Sequence, residues 1–73
     1  MNPIQAADLK KAQAMRGVEF TADGMQHRIT DAWFAEYACV VLVEVRIWFR
    51  PGRSSVEILT LDELDVRMGS EQR

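Results

Sequence analysis

Arginine and tryptophan residues alternate at the end of a long apolar stretch, and their side chains are the ones best suited to bind a partner. Arg46, Trp48 and Arg50 occupy every second position, and Arg53 follows shortly after them. Residues at this spacing in a β-strand point to the same face. Guanidinium groups beside an indole ring anchor protein interfaces, and they also hold phosphates while a base stacks on the ring. We therefore predict that Arg46, Trp48, Arg50 and Arg53 bind a partner, with a protein favoured over an inert solvated face or a nucleic acid.

The remaining titratable residues do not predict a reaction. His27 is the sole histidine. A histidine that acts as a general base needs a partner carboxylate, and the sequence does not indicate which carboxylate would pair with His27. We expect it to be a packed, structural histidine. Asp62, Glu63 and Asp65 form an acidic cluster, but their spacing fits no EF-hand loop, and helix capping and solubility explain Asp62 and Glu63. The sequence thus predicts no enzyme activity, no metal site and no cofactor.

The arginine and tryptophan residues belong to a stretch in which apolar side chains recur with a period of two. Every odd-numbered residue between positions 33 and 49 is apolar, which predicts a strand with one buried face, including the lone cysteine Cys39. Several even-numbered residues at its start are apolar as well, so the second face is too apolar to remain uncovered. Either the N-terminal helix or another subunit must cover it. We predict a homo-oligomer interface formed by Phe34, Val40 and Leu42.

Two elements precede this strand. Asn2 and Pro3 suit the N-cap and the first position of a helix, with Gln5 completing a capping box, and they predict a helix over about 3–16. Gly17 is suited to end it. Asp23 and Gly24 then indicate a type I′ turn between strands over about 18–22 and 25–30. That turn pairs Ala22 with Met25, Phe20 with His27 and Val18 with Ile29.

The segment 30–38 has two interpretations, a short helix or a bent continuation of the strand pattern, and the sequence leaves both open. The main strand is expected over about 39–49, because a single strand from position 33 would far exceed the usual length. Pro51 and Gly52 suit a type II turn, followed by a strand over about 55–60. Pairing Arg50 with Ser55 would place Glu57 opposite Trp48, where its charge would offset the arginines.

The C-terminal part begins with a second capping signal. Thr60 and Glu63 have the spacing of a capping box and predict a helical turn over about 61–64. The apolar residues at 64, 66 and 68 fit either a continued helix or an edge strand. Residues 69–73 are expected to form a frayed tail.

Length and charge restrict the class of protein. Seventy-three residues suffice for one domain, 1–73, which buries only about 60 % of its unfolded surface and benefits from self-association. A net charge of −2 does not favour a dedicated nucleic-acid binder, and a single cysteine forms no internal disulfide. No signal peptide or apolar segment of roughly 20 residues is present, so we expect a cytoplasmic protein with no membrane contact.

Taken together, these elements predict an α+β domain with an N-terminal helix and a small, strongly bent antiparallel sheet. The order of the elements resembles that of SH3-like and Sm-like small barrels, and this resemblance implies a fold but no activity. We expect a non-enzymatic regulatory module that binds a protein partner as a homo-oligomer. An accessory protein of a bacterial mobile element would suit this size and charge. The alternative is a small nucleic-acid-binding barrel that uses the face formed by Arg46, Trp48 and Arg50.

Overall fold

The structure is a computed structural model that describes residues 1–70. Its elements follow the order α1–β1–β2–β3–β4–α2, and the strands form one antiparallel sheet in sequence order. The prediction of an α+β fold is therefore confirmed. The sheet is open, with β1 and β4 as its edges, so closure into a small barrel is not confirmed. The bounds are α1 Pro3–Ala14, β1 Glu19–Ala22, β2 Met25–Ala35, β3 Val40–Arg50, β4 Arg53–Thr60 and α2 Leu61–Ser70.

The first helix begins with the predicted capping box. The Gln5 backbone N–H donates to Asn2 Oδ1 at 2.8 Å, and the Asn2 N–H donates to Gln5 Oε1 at 2.9 Å. Ala12 is the residue of α1 that is fully buried, so this helix contributes a narrow stripe to the core. After α1, Gly17 adopts a φ of +88° and its N–H donates to the Ile29 carbonyl at 2.7 Å. This bond ties the end of the helix to the sheet.

The first hairpin has the predicted turn and register. Asp23 and Gly24 have φ values of +54° and +74°, and a type I′ turn requires positive φ at both central positions. Phe20 lies opposite His27, and Ala22 lies opposite Met25. The local turn chemistry therefore fixes which side chains of β1 and β2 share a face.

The segment 30–38 is mostly strand, and it changes faces. A β-bulge between Ile29 and Asp31 inserts Thr30, after which the even-numbered residues of β2 point to the core. A turn over 36–39 then separates β2 from β3, so the apolar odd positions belong to two strands. The expected burial of Tyr37 and Cys39 is wrong, since Tyr37 is 87 % exposed and Cys39 lies exposed in the turn.

The second hairpin has a different register from the predicted one. Pro51 and Gly52 form a tight turn that pairs Arg50 with Arg53, and the register shifts between Trp48 and Arg50. Ile47 therefore lies opposite Ser55 instead of Ile58. This odd-numbered shift exchanges the two faces of β4. Phe49, predicted to be buried, is 51 % exposed near the turn.

The C-terminal segment is a helix throughout its described part. The Thr60 N–H donates to Glu63 Oε1 at 2.9 Å and the Glu63 N–H donates to Thr60 Oγ1 at 3.2 Å, which is the predicted capping box. The helix α2 continues to Ser70, well beyond the predicted turn at 61–64. Of the predicted tail at 69–73, positions 69 and 70 are helical and 71–73 lie outside the described residues.

One face of the sheet packs against both helices. Ala12 of α1 and Leu64 of α2 contact the same cluster of strand side chains, to which β3 contributes most. Over the described residues, no helix is long and apolar enough to cross a membrane. The fully or nearly fully buried members of this core are Ala12, Ile29, Ala32, Val41, Val43, Val45, Ile47, Leu59 and Leu64.

Candidate protein-binding surface

The face of the sheet that points away from the helices is the candidate site. Its position follows from the alternation of β3, in which Val41, Val43, Val45 and Ile47 point to the core and their neighbours point the other way. The buried helix side chains Ala12 and Leu64 belong to the core cluster on the opposite side of the sheet. We define the outer face as Gln26, Arg28, Asp31 and Trp33 of β2, Val40, Leu42, Glu44, Arg46 and Trp48 of β3, and Ser54, Val56 and Ile58 of β4.

The outer face has an apolar part that water reaches. Val56 and Ile58 are 46 % and 44 % exposed, and Trp33 and Leu42 are half-buried neighbours across β2 and β3. None of these side chains belongs to the core cluster. Apolar side chains that are grouped on one sheet face without a covering element indicate an interaction surface.

The charged residues of the outer face lie in two adjacent rows across the strands. Arg28 is directly opposite Arg46, and the next pair on this face, beyond the bulge, is Asp31 opposite Glu44. Each row therefore places like charges side by side, which is unfavourable for an isolated sheet. The basic row lies towards Trp48, and the acidic row lies towards Leu42.

Arg28 has contacts on both sides. Its Nη2 donates to Glu19 Oε1 at 2.8 Å, and its guanidinium carbon lies 5.5 Å from the centre of the Trp48 ring. Gln26 Nε2 donates to the other oxygen of Glu19 at 2.6 Å. The hydrogen bond from Arg28 lowers the pKa of the Glu19 carboxyl, with the charge of Arg28 and the Gln26 hydrogen bond adding to this effect. These contacts place the Arg28 guanidinium over the indole ring, within the distance of a cation–π interaction.

Glu44 and Arg46 are held by neutral partners. Thr30 Oγ1 donates to Glu44 Oε1 at 2.9 Å, and Arg46 Nη1 donates to Ser54 Oγ at 2.9 Å. Neither side chain forms an ion pair with another residue of the described range 1–70. Their charges therefore remain available to a partner, while their orientation is already restricted by the hydrogen bonds.

The structure brings together some of the predicted partner-binding residues. Arg46 and Trp48 lie on the outer face as predicted, whereas Arg50 and Arg53 pair with each other at the exposed tip of the second hairpin. Glu57 does not lie opposite Trp48. It lies opposite Val45 on the core side, and Ser54 takes the place beside Trp48.

The predicted oligomer residues divide between the two faces. Val40 and Leu42 lie on the outer face, but Phe34 lies opposite Val41 and packs against the core. The bulge at Thr30 is the reason, because it moves Trp33 outward and Phe34 inward. Only the pairing of β2 with β3 reveals that Arg28, Asp31 and Trp33 belong to the site. The sequence signal for the bulge is the loss of the alternation of polar and apolar residues after Ile29, which does not by itself specify a bulge.

The other chemical candidates have structural roles. His27 is 1 % exposed, its Nδ1 lies 2.8 Å from the Met25 carbonyl oxygen, and its ring stacks on Phe20 at 4.8 Å between centroids. Glu63 caps α2, and the hydrogen bonds from Thr60 lower the pKa of its carboxyl. No cluster of His, Cys, Asp and Glu side chains within residues 1–70 could hold a metal ion.

Comparison with known proteins gives no relative: no protein-family model, curated protein or solved structure matches this chain. A function must therefore be inferred from the chemistry of the outer face itself.

Proposed function

We propose that this protein is a non-enzymatic interaction module that binds a protein partner through the outer face. The observation that supports the proposal most is the combination of Trp33, Leu42, Val56 and Ile58 on a sheet face that neither helix covers. Exposed apolar groups of this kind, mixed with tryptophan and arginine, are typical of protein interfaces. A regulatory or accessory role, such as one in a bacterial mobile element, suits a module of this size.

The charges favour a protein over a polyanion. Asp31 and Glu44 lie beside Arg28 and Arg46, so a phosphate backbone crossing the outer face would meet carboxylates as well as guanidinium groups. A protein surface carries both signs and matches such a pattern. His27, the sole histidine, is enclosed in the core and does not reach this surface.

A cytoplasmic setting is part of the proposal. The thiol of Cys39 is exposed in the turn between β2 and β3 and donates only a weak hydrogen bond, 3.5 Å in length, to the Glu36 carbonyl. An exposed lone thiol is compatible with a reducing compartment, whereas an oxidising one would favour disulfides between chains.

Site-specific photo-cross-linking in cells of the natural host tests this function. A photoreactive amino acid is placed at Val56 on the outer face, and a matched control carries it at Gln13, which is exposed on α1. We expect protein adducts from position 56 that are absent from position 13, identified by mass spectrometry. An absence of adducts at position 56, or equal adducts at both positions, would overturn the proposal.

Nucleic acid is the second candidate, because Arg28 stacks over Trp48 with Arg46 beside it. An arginine beside a half-buried indole on an open sheet could hold a base and its phosphate. In the same cross-linking experiment, this function predicts an adduct at position 56 that nuclease treatment removes. Such a result would replace the protein partner with a nucleic acid.

A further inference from the structure

We infer that the outer face binds the outer face of a second copy of this chain, in a two-fold symmetric dimer. The two sheets would pack face to face with the β3 strands of the copies running in opposite directions. This inference rests on the proposed function, since it names the occupant of the same surface. It goes beyond that function by assigning the symmetry axis and the contacts that the axis creates.

The charge rows carry the inference. The row of Arg28 and Arg46 lies next to the row of Asp31 and Glu44 on the same face. A two-fold axis that lies in the interface between these rows, perpendicular to the strands, exchanges them. Each basic row then faces the acidic row of the second copy, so Arg46 meets Glu44 of the second copy and the reverse contact forms as well.

The same rotation relieves the unfavourable pairs within each copy. In the isolated chain Asp31 lies opposite Glu44, and Arg28 lies opposite Arg46 with Glu19 as its only ion-pair partner in the described range. Like charges that lie opposite each other on a sheet destabilise it. Apposition of the rows places opposite charges of the second copy against both like-charge pairs, and these attractions offset the repulsions that remain within each copy.

The apolar residues are arranged with the same symmetry. Leu42 lies on one side of the charged rows and Trp48 on the other, so the axis places Leu42 over Trp48 of the second copy. Val56 and Ile58 belong to the basic and the acidic row and are exchanged in the same way. Sheets that pack face to face are rotated by about 30°, so these contacts are closest near β3 at the centre.

The area of the outer face indicates how strong the dimer is. The face extends over nine residues of β3, from Val40 to Trp48, and over the three strands β2, β3 and β4. With about 3.3 Å per residue and about 4.8 Å per strand, its footprint is about 430 Å² per copy. A dimer would then bury on the order of 900 Å² in total, which is the size of weak and transient interfaces. We therefore expect a reversible dimer that depends on concentration.

Charge exchange tests the geometry. In E44R both central charges are positive, and in R46E both are negative, so each variant alone places like charges against each other across the axis. Sedimentation equilibrium is expected to show dimerisation at least about tenfold weaker for each variant than for the natural chain. An equal mixture of E44R and R46E is expected to form heterodimers, and the double variant E44R/R46E is expected to regain self-association.

Matched controls separate the contact from net charge. K10E on α1 changes the charge as R46E does, and D65R on α2 changes it as E44R does; both positions are exposed on helices. Neither control is expected to affect dimerisation. Far-UV circular dichroism of all variants verifies that the fold is retained.

The dimer would be overturned by a natural chain that stays monomeric up to about 1 mM, which is the dissociation constant of a weak interface. It would also be overturned if the single variants dimerised as strongly as the natural chain. A third contradicting result would be an equal mixture of folded E44R and R46E that does not associate. A monomer that still cross-links to another protein from position 56 would overturn the dimer and retain the proposed function. Should a single variant fail to fold, NMR spectra of the natural chain at several concentrations test the dimer. A face-to-face dimer shifts the indole signals of Trp33 and Trp48 with concentration, whereas the backbone signals of α1 stay unchanged.

Discussion

At the scale of single residues, the ion pair of Glu57 and Arg67 connects β4 to α2. Arg67 Nη1 donates to Glu57 Oε2 at 2.7 Å and Nη2 donates to Oε1 at 2.9 Å, so both ends of the guanidinium fork are used. This hydrogen bonding lowers the pKa of the Glu57 carboxyl and raises that of Arg67. The pair explains how a carboxylate can lie on the core side of the sheet.

We expect the stabilisation from Glu57 to depend on pH. Since its pKa is lowered in the folded protein, the pair stabilises the fold above the ordinary carboxyl pKa of 4.5 and loses this effect as the pH falls below it. Both side chains are partly exposed, so solvent screening limits the contribution at pH 7 to about 0.5–1 kcal/mol. Urea unfolding of the natural chain and of E57Q at several pH values measures it.

E36Q is the control for this experiment, because the Glu36 side chain forms no ion pair within residues 1–70. The difference between the natural chain and E57Q is expected to shrink as the pH falls below 4.5, because the carboxyl becomes protonated first in the unfolded chain and then in the folded one. A difference that does not change with pH would show that Glu57 stabilises the fold by packing and not by its charge.

His27 illustrates how a reactive residue type becomes a structural one. Its position opposite Phe20 follows directly from the Asp23–Gly24 turn, and the stacked rings confirm the expectation of a packed histidine. Nearly complete burial keeps its ring nitrogens away from the surface on which a partner would bind. The face on which β2 places this side chain determines that it packs against Phe20.

At the scale of the elements, the bulge at Thr30 determines what the sheet presents on each face. Without it, Trp33 would continue on the core side and Phe34 on the outer side, as the odd-numbered alternation predicted. With it, Ala32 and Phe34 fill the space beneath α1, and Trp33 joins the outer face. One inserted residue therefore exchanges the roles of two adjacent aromatic side chains.

Alanine substitutions at these two neighbours are expected to have different effects. F34A removes a ring that packs against the core and should lower the free energy of unfolding by about 2–3 kcal/mol, less than for a fully enclosed phenylalanine. W33A should cost less stability and should instead weaken self-association. Chemical unfolding and sedimentation of both variants measure the two effects. The reverse order in unfolding would place Trp33, not Phe34, in the core.

The starts of the helices and the positions of the turns depend on residues that are close in sequence, so the sequence was sufficient to predict them. Asn2 with Gln5, and Thr60 with Glu63, form the capping boxes that their spacing indicates. Pro51 and Gly52 form the expected turn, but the turn alone did not specify the register of β4. Leu59 in the core and Arg67 beside Glu57 select the register, and both contacts join parts of the chain that the turn does not control.

At the scale of the whole molecule, the sheet is covered on one side only. Both helices pack into the same core, and the two edges of the sheet do not meet. A barrel would enclose one face of every strand, whereas this open sheet leaves its second face to the solvent or to another molecule. The proposed dimer would add the burial that a chain of this length lacks.

Thermal stability should therefore depend on protein concentration. A dimer that forms only from folded chains stabilises them by mass action, and for a chain of this size a hundredfold increase in concentration should raise the Tm by about 5 °C. Differential scanning calorimetry between about 10 µM and about 1 mM covers the range in which a small interface saturates. R46E should show no such rise, and an equal rise in R46E would locate the interface elsewhere.

The features that depend on neighbouring residues follow from the amino-acid sequence without the fold. Caps, the Asp23–Gly24 turn, the alternation of β3 and the outward position of Arg46 and Trp48 each need only a few adjacent side chains, so the pattern suffices to predict them. Which strand positions lie opposite each other depends on contacts between distant parts of the chain, and it became clear only from the folded structure. The bulge at Thr30 and the register of β4 were selected by packing against α1 and α2, and a shift by an odd number of residues exchanges every side chain between the core and the outer face.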